Sequence, residues 1–193
     1  MKKENGVLTE VNRFDLELLK NNPKKFWEGV EVIGANAFQD SKVEEIVVPN
    51  TVKKLAPRAF CGCKTLTVVA LPESIDKVSQ YCFQWCWSLT KVLLPQTIVE
   101  IGENAFAGCE KIEKIFIPDS VKKISSYAFA HCHNLQKITI PANVESVGFG
   151  AFYCDKKLKE VYAMGNTKFH KDSFVGTNEN LQVLSASVEV EMA

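Results

Sequence analysis

Seven cysteines are the residues with most chemical potential in this chain: Cys61, Cys63, Cys82, Cys86, Cys109, Cys132 and Cys154. Thiolates can bind zinc, cycle between redox states or attack a carbonyl. Cys61-x-Cys63 is too tight for a zinc knuckle, and no C-x-x-C pair supports it. An odd count in a chain with no visible export signal reads as reduced thiols. His131 and His133 flank Cys132 and could complete a ligand set. Spacing argues otherwise. Cys63, Cys86, Cys109 and Cys132 stand 23 residues apart each time, which is the mark of a repeat. Stacking repeats would set four sulfurs in a line, and a line is not a tetrahedral cage. The expected role is a row of small buried residues, with the two histidines on an outward corner. His170 lies near an aliphatic slot and is expected to be packed. Phosphate-binding glycine loops, nucleophile elbows and H-E-x-x-H are all missing, so the chain is expected to be no enzyme and to need no cofactor or metal.

The same period governs the elements around the cysteines. Phenylalanines recur at 38, 60, 83, 106, 129, 152 and 174, and prolines at 49, 72, 95, 118 and 141. Between them, five aliphatic slots repeat. After Phe129 they are Leu135, Ile138, Ile140, Val144 and Val147, and after Phe106 they are Ile112, Ile115, Ile117, Val121 and Ile124. The pair Ile138-x-Ile140 is a short strand with one buried side. Pro141 ends it, since proline has no N–H for the next ladder bond. Val144 and Val147 turn a second edge inward, and Ala151-Phe152 fills the coil. A single repeat cannot bury its own apolar residues, so neighbours must stack above and below. About seven coils at roughly 4.8 Å spacing make a stack about 30–35 Å long with a continuous parallel ladder. Asp119-Ser120 and Glu73-Ser74 fall in the turn after the proline, where local turn chemistry accounts for them.

The unit Ile117-Pro118-Asp119-Ser120-Val121-Lys122-Lys123-Ile124, followed by Ala128-Phe129, Cys132 and Leu135, resembles the BspA-like leucine-rich repeat. The resemblance covers about residues 30–184. It implies a repeat solenoid, mainly β with short irregular or helical turns, as an open right-handed curved stack with a strand-lined concave face. It also implies binding of other macromolecules, often on bacterial or protist cell surfaces.

Residues 1–29 are read as a cap and 185–193 as an edge strand or tail. Val11, Phe14, Leu18 and Leu19 have helical spacing, Asn12 is the expected N-cap, and Asn21-Asn22-Pro23 ends the helix. At the far end Val188, Val190 and Met192 alternate with polar residues.

Two surface features remain. The residue between the last two inward aliphatics of each strand points onto the sheet surface. Down the stack that column reads Val47, Ala70, Leu93, Phe116, Thr139, Tyr162, and the column two residues earlier reads Glu45, Val68, Lys91, Lys114, Lys137, Glu160. An apolar row rimmed by Lys91 and Lys114 reads as a protein-binding surface, with Leu93 and Phe116 as anchors. The second feature is Trp85 and Trp87, in a loop row where other repeats carry small or polar residues; they could contact a protein or stack on a sugar.

Composition narrows the partners. Lys+Arg and Asp+Glu are both 23 among 193 residues, against binding by phosphate neutralisation and hence against nucleic acid. Apolar runs stop at four residues, too short to span a membrane. Met1-Lys2-Lys3 is followed by no apolar stretch, so the sequence as it stands reads as cytoplasmic, or as cell-surface or secreted if a leader was trimmed. The expectation is a non-enzymatic protein-interaction module, with an adhesin or carbohydrate binder as the alternative. Oligomeric state is left open.

Overall fold

The computed structural model describes residues 1–185 of the chain. It opens with a hairpin, β1 (Lys2–Glu4) against β2 (Val7–Glu10), followed by helices α1 (Arg13–Asn21) and α2 (Pro23–Trp27). Short strands then alternate between two sides of a coil: β3 (Val32–Ile33), β4 (Glu45–Val47), β5 (Lys54–Leu55), β6 (Val68–Ala70), β7 (Lys77–Val78), β8 (Lys91–Leu93), β9 (Glu100–Ile101), β10 (Lys123–Ile124), β11 (Lys137–Ile140), β12 (Ser146–Val147), β13 (Glu160–Ala163), β14 (Lys168–Phe169) and β15 (Gln182–Ser185). The result is a β-solenoid of about eight turns. Its strands pair parallel between successive coils, as in Val69↔Val92 and Ile124↔Val147. All the aliphatic slots of the four central repeats are buried except Leu94, which is half-buried.

The third side of each coil has no strands and is held by backbone bonds between turns. Phe83 N–H donates to Ala105 O at 2.8 Å and Phe106 N–H to Ala128 O at 2.8 Å. Two columns on this side carry positive φ. One runs Asn36, Arg58, Tyr81, Asn104, Tyr127, Gly150, and the other Asp40, Gly62, Trp85, Gly108, His131, Cys154, Gly176. A non-glycine residue in this conformation costs about 1–2 kcal/mol. The inter-coil bonds offset it: Trp85 N–H reaches Ala107 O at 2.8 Å and His131 N–H reaches Tyr153 O at 2.8 Å.

Inside, the phenylalanines form one stacked column. Ring centroids of Phe60, Phe83, Phe106, Phe129 and Phe152 follow one another at 5.2, 5.4, 5.5 and 5.8 Å, nearly coplanar. The cysteines lie beside it. The thiols of Cys63, Cys86, Cys109 and Cys132 donate to the carbonyls of Phe38, Phe60, Phe83 and Phe106 at 2.9–3.4 Å. Cysteine suits this slot because it is small, apolar and still a weak donor. Among the described residues the cysteines are free thiols, and burial pushes those of Cys82, Cys109 and Cys132 up.

Three expectations are corrected. The concave ladder is not continuous: it is two three-stranded sheets, β4-β6-β8 and β11-β13-β15, and residues 113–117 between them join neither. The coil survives there because its other two sides keep their inter-coil bonds, such as Lys122 N–H to Val99 O at 2.9 Å. The Ser and Thr of the post-proline turns do not serve the turn alone. Ser74, Thr97 and Ser120 donate to Val52 O, Ile75 O and Ile98 O of the preceding coil at 2.5–2.6 Å. The third correction concerns the N-terminal end. The helix forms as predicted, with Asn12 accepting from the N–H groups of Phe14 and Asp15 while Asp15 closes the capping box. Yet α1 buries no residue fully. The end of the stack is met chiefly by β2, which pairs with β3, and by α2, whose buried Phe26 and Trp27 pack on Phe38, while Leu16, Leu18 and Leu19 of α1 are partly buried against the core. One amphipathic helix leaves a strand edge unpaired, whereas a hairpin satisfies it. Val188, Val190 and Met192 lie outside the described residues.

Candidate functional site: an apolar column on the concave sheets

Strand pairing puts the predicted column in register. Val47, Ala70 and Leu93 are mutual partners on one sheet, and Thr139, Tyr162 and Leu184 on the other. Phe116 stands between the two sheets. Val47 is 71% exposed, Leu93 48% and Phe116 64%, while the residues flanking them in sequence, such as Val92, Ile115 and Ile117, are buried. Alternation along each strand is the cause: a parallel strand shows one face to the core and the other to solvent. Tyr162 is partly covered and its hydroxyl donates to Glu160 at 2.8 Å. Lys91 and Lys114 are exposed beside the column, as is Lys137.

Two residues escaped the sequence reading. Leu184 continues the column and is exposed. Met164, half-exposed, lines with Phe116, Thr139 and Pro141 a groove of about 650 Å³. Met164 stands 23 residues after Pro141, where the repeat would place the next proline. That a lost proline would become a groove wall required the packing.

The structure gives the two tryptophans different neighbours. Trp85 is 41% exposed and lies across Gly108, where an added Cβ would sit 2.2 Å from the indole Cε3; its ring then reaches His131, with centroids 6.3 Å apart. Glycine is needed at 108 on two counts, a φ of +75° and the ring above it. Gly108→Ala is expected to cost at least about 1 kcal/mol in urea denaturation, and the loss should shrink in a Trp85→Ala background. Equal losses in both backgrounds would show that the ring is not the constraint. Trp87 is 42% exposed, with the Lys64 ammonium 4.6 Å from its ring centroid. The two rings are not brought together with the concave column: they belong to the turn side.

The Cys column holds one more unforeseen residue. Position 155, 23 beyond Cys132, is Asp155, fully buried. Its Oδ1 accepts the Cys132 N–H at 2.7 Å, and its Oδ2 has no partner. Burial pushes this carboxyl well above the usual carboxylate range. The 23-residue period could have placed it there. Among the described residues no group of three or more His, Cys, Asp and Glu could hold a metal ion.

A stack of parallel coils with a buried phenylalanine column and an exposed face of short strands defines a repeat solenoid of the leucine-rich class. The chain belongs to the BspA type leucine rich repeat family, which matches in six copies over residues 31–159 and 76–190. The chain is similar to the T. pallidum leucine rich repeat protein TpLRR, with 28% identity and a TM-score of 0.73, over 79% of this chain and 72% of that one. It is also similar to a leucine-rich repeat protein from Eubacterium ventriosum at 27% identity and a TM-score of 0.59, covering 64% of this chain but 34% of the other. A leucine rich cell surface protein from Faecalibacterium prausnitzii shares the fold at 19% identity and a TM-score of 0.61, over 84% of this chain and 53% of that one. No match was found among curated proteins. Membership of this family is consistent with a protein-interaction or surface repeat module. No helix among the described residues is long and apolar enough to cross a membrane.

Proposed function

We propose that this chain is a protein-interaction module whose contact surface is the concave column, with Leu93 and Phe116 as anchors and Val47, Ala70, Thr139 and Tyr162 extending it. The observation that carries the reading is the exposure of Val47 and Leu93 in strand register, and of Phe116 beyond them, on a face whose alternate residues are buried apart from the half-buried Leu94. Such a face is rigid, so binding forfeits little side-chain and backbone freedom. The family's usual role supports a protein as the partner.

The test compares wild type with Leu93→Glu/Phe116→Glu in affinity capture, after circular dichroism shows equal folding. Both side chains point to solvent, so the variant is expected to fold and to lose its partner by about 100-fold or more, as hot-spot anchors do. A partner retained by the variant would refute the concave reading. Glycan stacking by Trp85 and Trp87 is the second reading. Their rings already carry partners of their own, Gly108 and His131 for Trp85 and Lys64 for Trp87. A glycan array in which Trp87→Ala loses binding while the concave variant keeps it would favour that reading.

A further inference from the structure

The two strand-bearing sides treat their lysines differently. On the side of β7, β9 and β10, Lys77, Glu100 and Lys123 occupy the same register position in successive strands. The acid sits between the two bases, 2.6 Å from Lys77 and 3.7 Å from Lys123. Burial pushes the Glu100 carboxyl up, but the bonds from Lys77 and Ser125 outweigh it and hold it below the usual carboxylate range. On the concave side the equivalent row is Lys91, Lys114, Lys137, three like charges in successive coils with no acid between them. None of the three is in an ion pair among the described residues. Lys137 even faces Glu160 across the β11–β13 pair, yet Glu160 accepts from the Tyr162 hydroxyl instead. Lys91 ends one sheet, Lys137 begins the next and Lys114 lies in the break between them, so the three ammonium groups follow one another along the stack. A repeat scaffold that places an acid between its lysines on one side leaves this row without an ion pair on the other.

Resting on the concave-face reading, we propose that the partner is an acidic protein segment, in which carboxylates flank an apolar side chain. Lys91 and Leu93 lie two residues apart on β8 and so project to the same face; Lys114 and Phe116, in the break between the sheets, have the same spacing and are both exposed. Each apolar anchor therefore has an ammonium beside it along the chain. The groove of about 650 Å³ between Phe116 and Met164, whose wall carries Asp119 as well as Lys114, receives the apolar side chain, and the lysine row outside it receives the carboxylates. The apolar column is what favours a protein over a sulfated glycan or a nucleic acid, which would use the charges and leave Leu93 and Phe116 exposed.

The experiment pans a displayed random-peptide library on the wild-type chain. The recovered peptides are then measured by fluorescence anisotropy against wild type, Lys91→Gln/Lys114→Gln/Lys137→Gln and Phe116→Ala, with heparin as a separate probe. The expected peptides are rich in Asp and Glu around an aromatic or aliphatic residue. Their affinity falls about tenfold or more in the lysine variant and also falls with added salt. Peptides that need Phe116 but are uncharged and indifferent to the lysine variant would overturn the acidic partner and leave the concave reading standing. Peptides indifferent to both variants, or recovery of no peptide, would overturn both. Heparin binding that matches the peptides and depends on the lysines alone would replace the protein segment with a polyanion.

Discussion

Phe106→Ala is expected to remove about 3–5 kcal/mol of stability. Phe106 is fully buried at the middle of the phenylalanine column, with neighbouring rings 5.4 and 5.5 Å away at interplanar angles of 8° and 5°. Truncation leaves a cavity that the coil cannot close, because inter-coil bonds fix the backbone on either side, as in Ala105 O with Phe83 N–H and Phe106 N–H with Ala128 O. Two aromatic contacts go as well, each worth about 0.5–1.5 kcal/mol beyond area. A solenoid couples only nearest neighbours, so a central weak point also uncouples the halves. Urea denaturation followed through tryptophan fluorescence should therefore broaden as well as shift. Phe174→Ala, at the half-buried end of the column, should cost less. A loss below about 1 kcal/mol for Phe106→Ala would mean that the column is not what holds the coils together.

Asp155→Asn is expected to make the protein more stable at neutral pH by about 1–3 kcal/mol. Asp155 fills the slot that holds cysteine in the four preceding coils, but with a carboxyl whose Oδ2 meets no partner. Its folded pKa is raised by burial, so the folded chain holds a proton that the unfolded chain releases. The stability tied to that proton is fully present below the unfolded carboxylate value of about 4 and is lost as pH rises towards the folded value, at about 1.4 kcal/mol per unit. Asparagine keeps an oxygen for the Cys132 N–H and cannot ionise. Melting temperatures of wild type and Asp155→Asn should thus diverge as pH rises from about 4 towards 8, with the variant above. Parallel curves would show that Asp155 does not titrate out of register with the unfolded chain. Asp155→Cys, which restores the repeat, should gain similarly.

Much of this is legible in the amino-acid order, for a physical reason. The strand face and turn side recur at a fixed interval, so one residue type at one interval reports one spatial column. That made the phenylalanine column, the cysteine slot and the alternation of Val47, Ala70, Leu93, Phe116, Thr139 and Tyr162 readable as rows. It also made helix α1 readable, since Asn12 and Asp15 form a capping box through local geometry alone.

What the period could not supply was contact between rows. Whether residues 113–117 join the sheets depends on distances between coils, not on residue type. The laying of Trp85 across Gly108 depends on a left-handed backbone at both positions, which no hydrophobic pattern encodes. The N-terminal end was met by a hairpin and by Phe26 and Trp27 because an unpaired strand edge needs hydrogen bonds that an amphipathic helix cannot provide. The coil and its columns follow from the amino-acid order alone, because their signal is local and repeated. Tertiary structure decided which columns are satisfied from within, as Lys77 and Lys123 are by Glu100, and which, like Lys91, Lys114 and Lys137 beside Phe116, are left facing solvent.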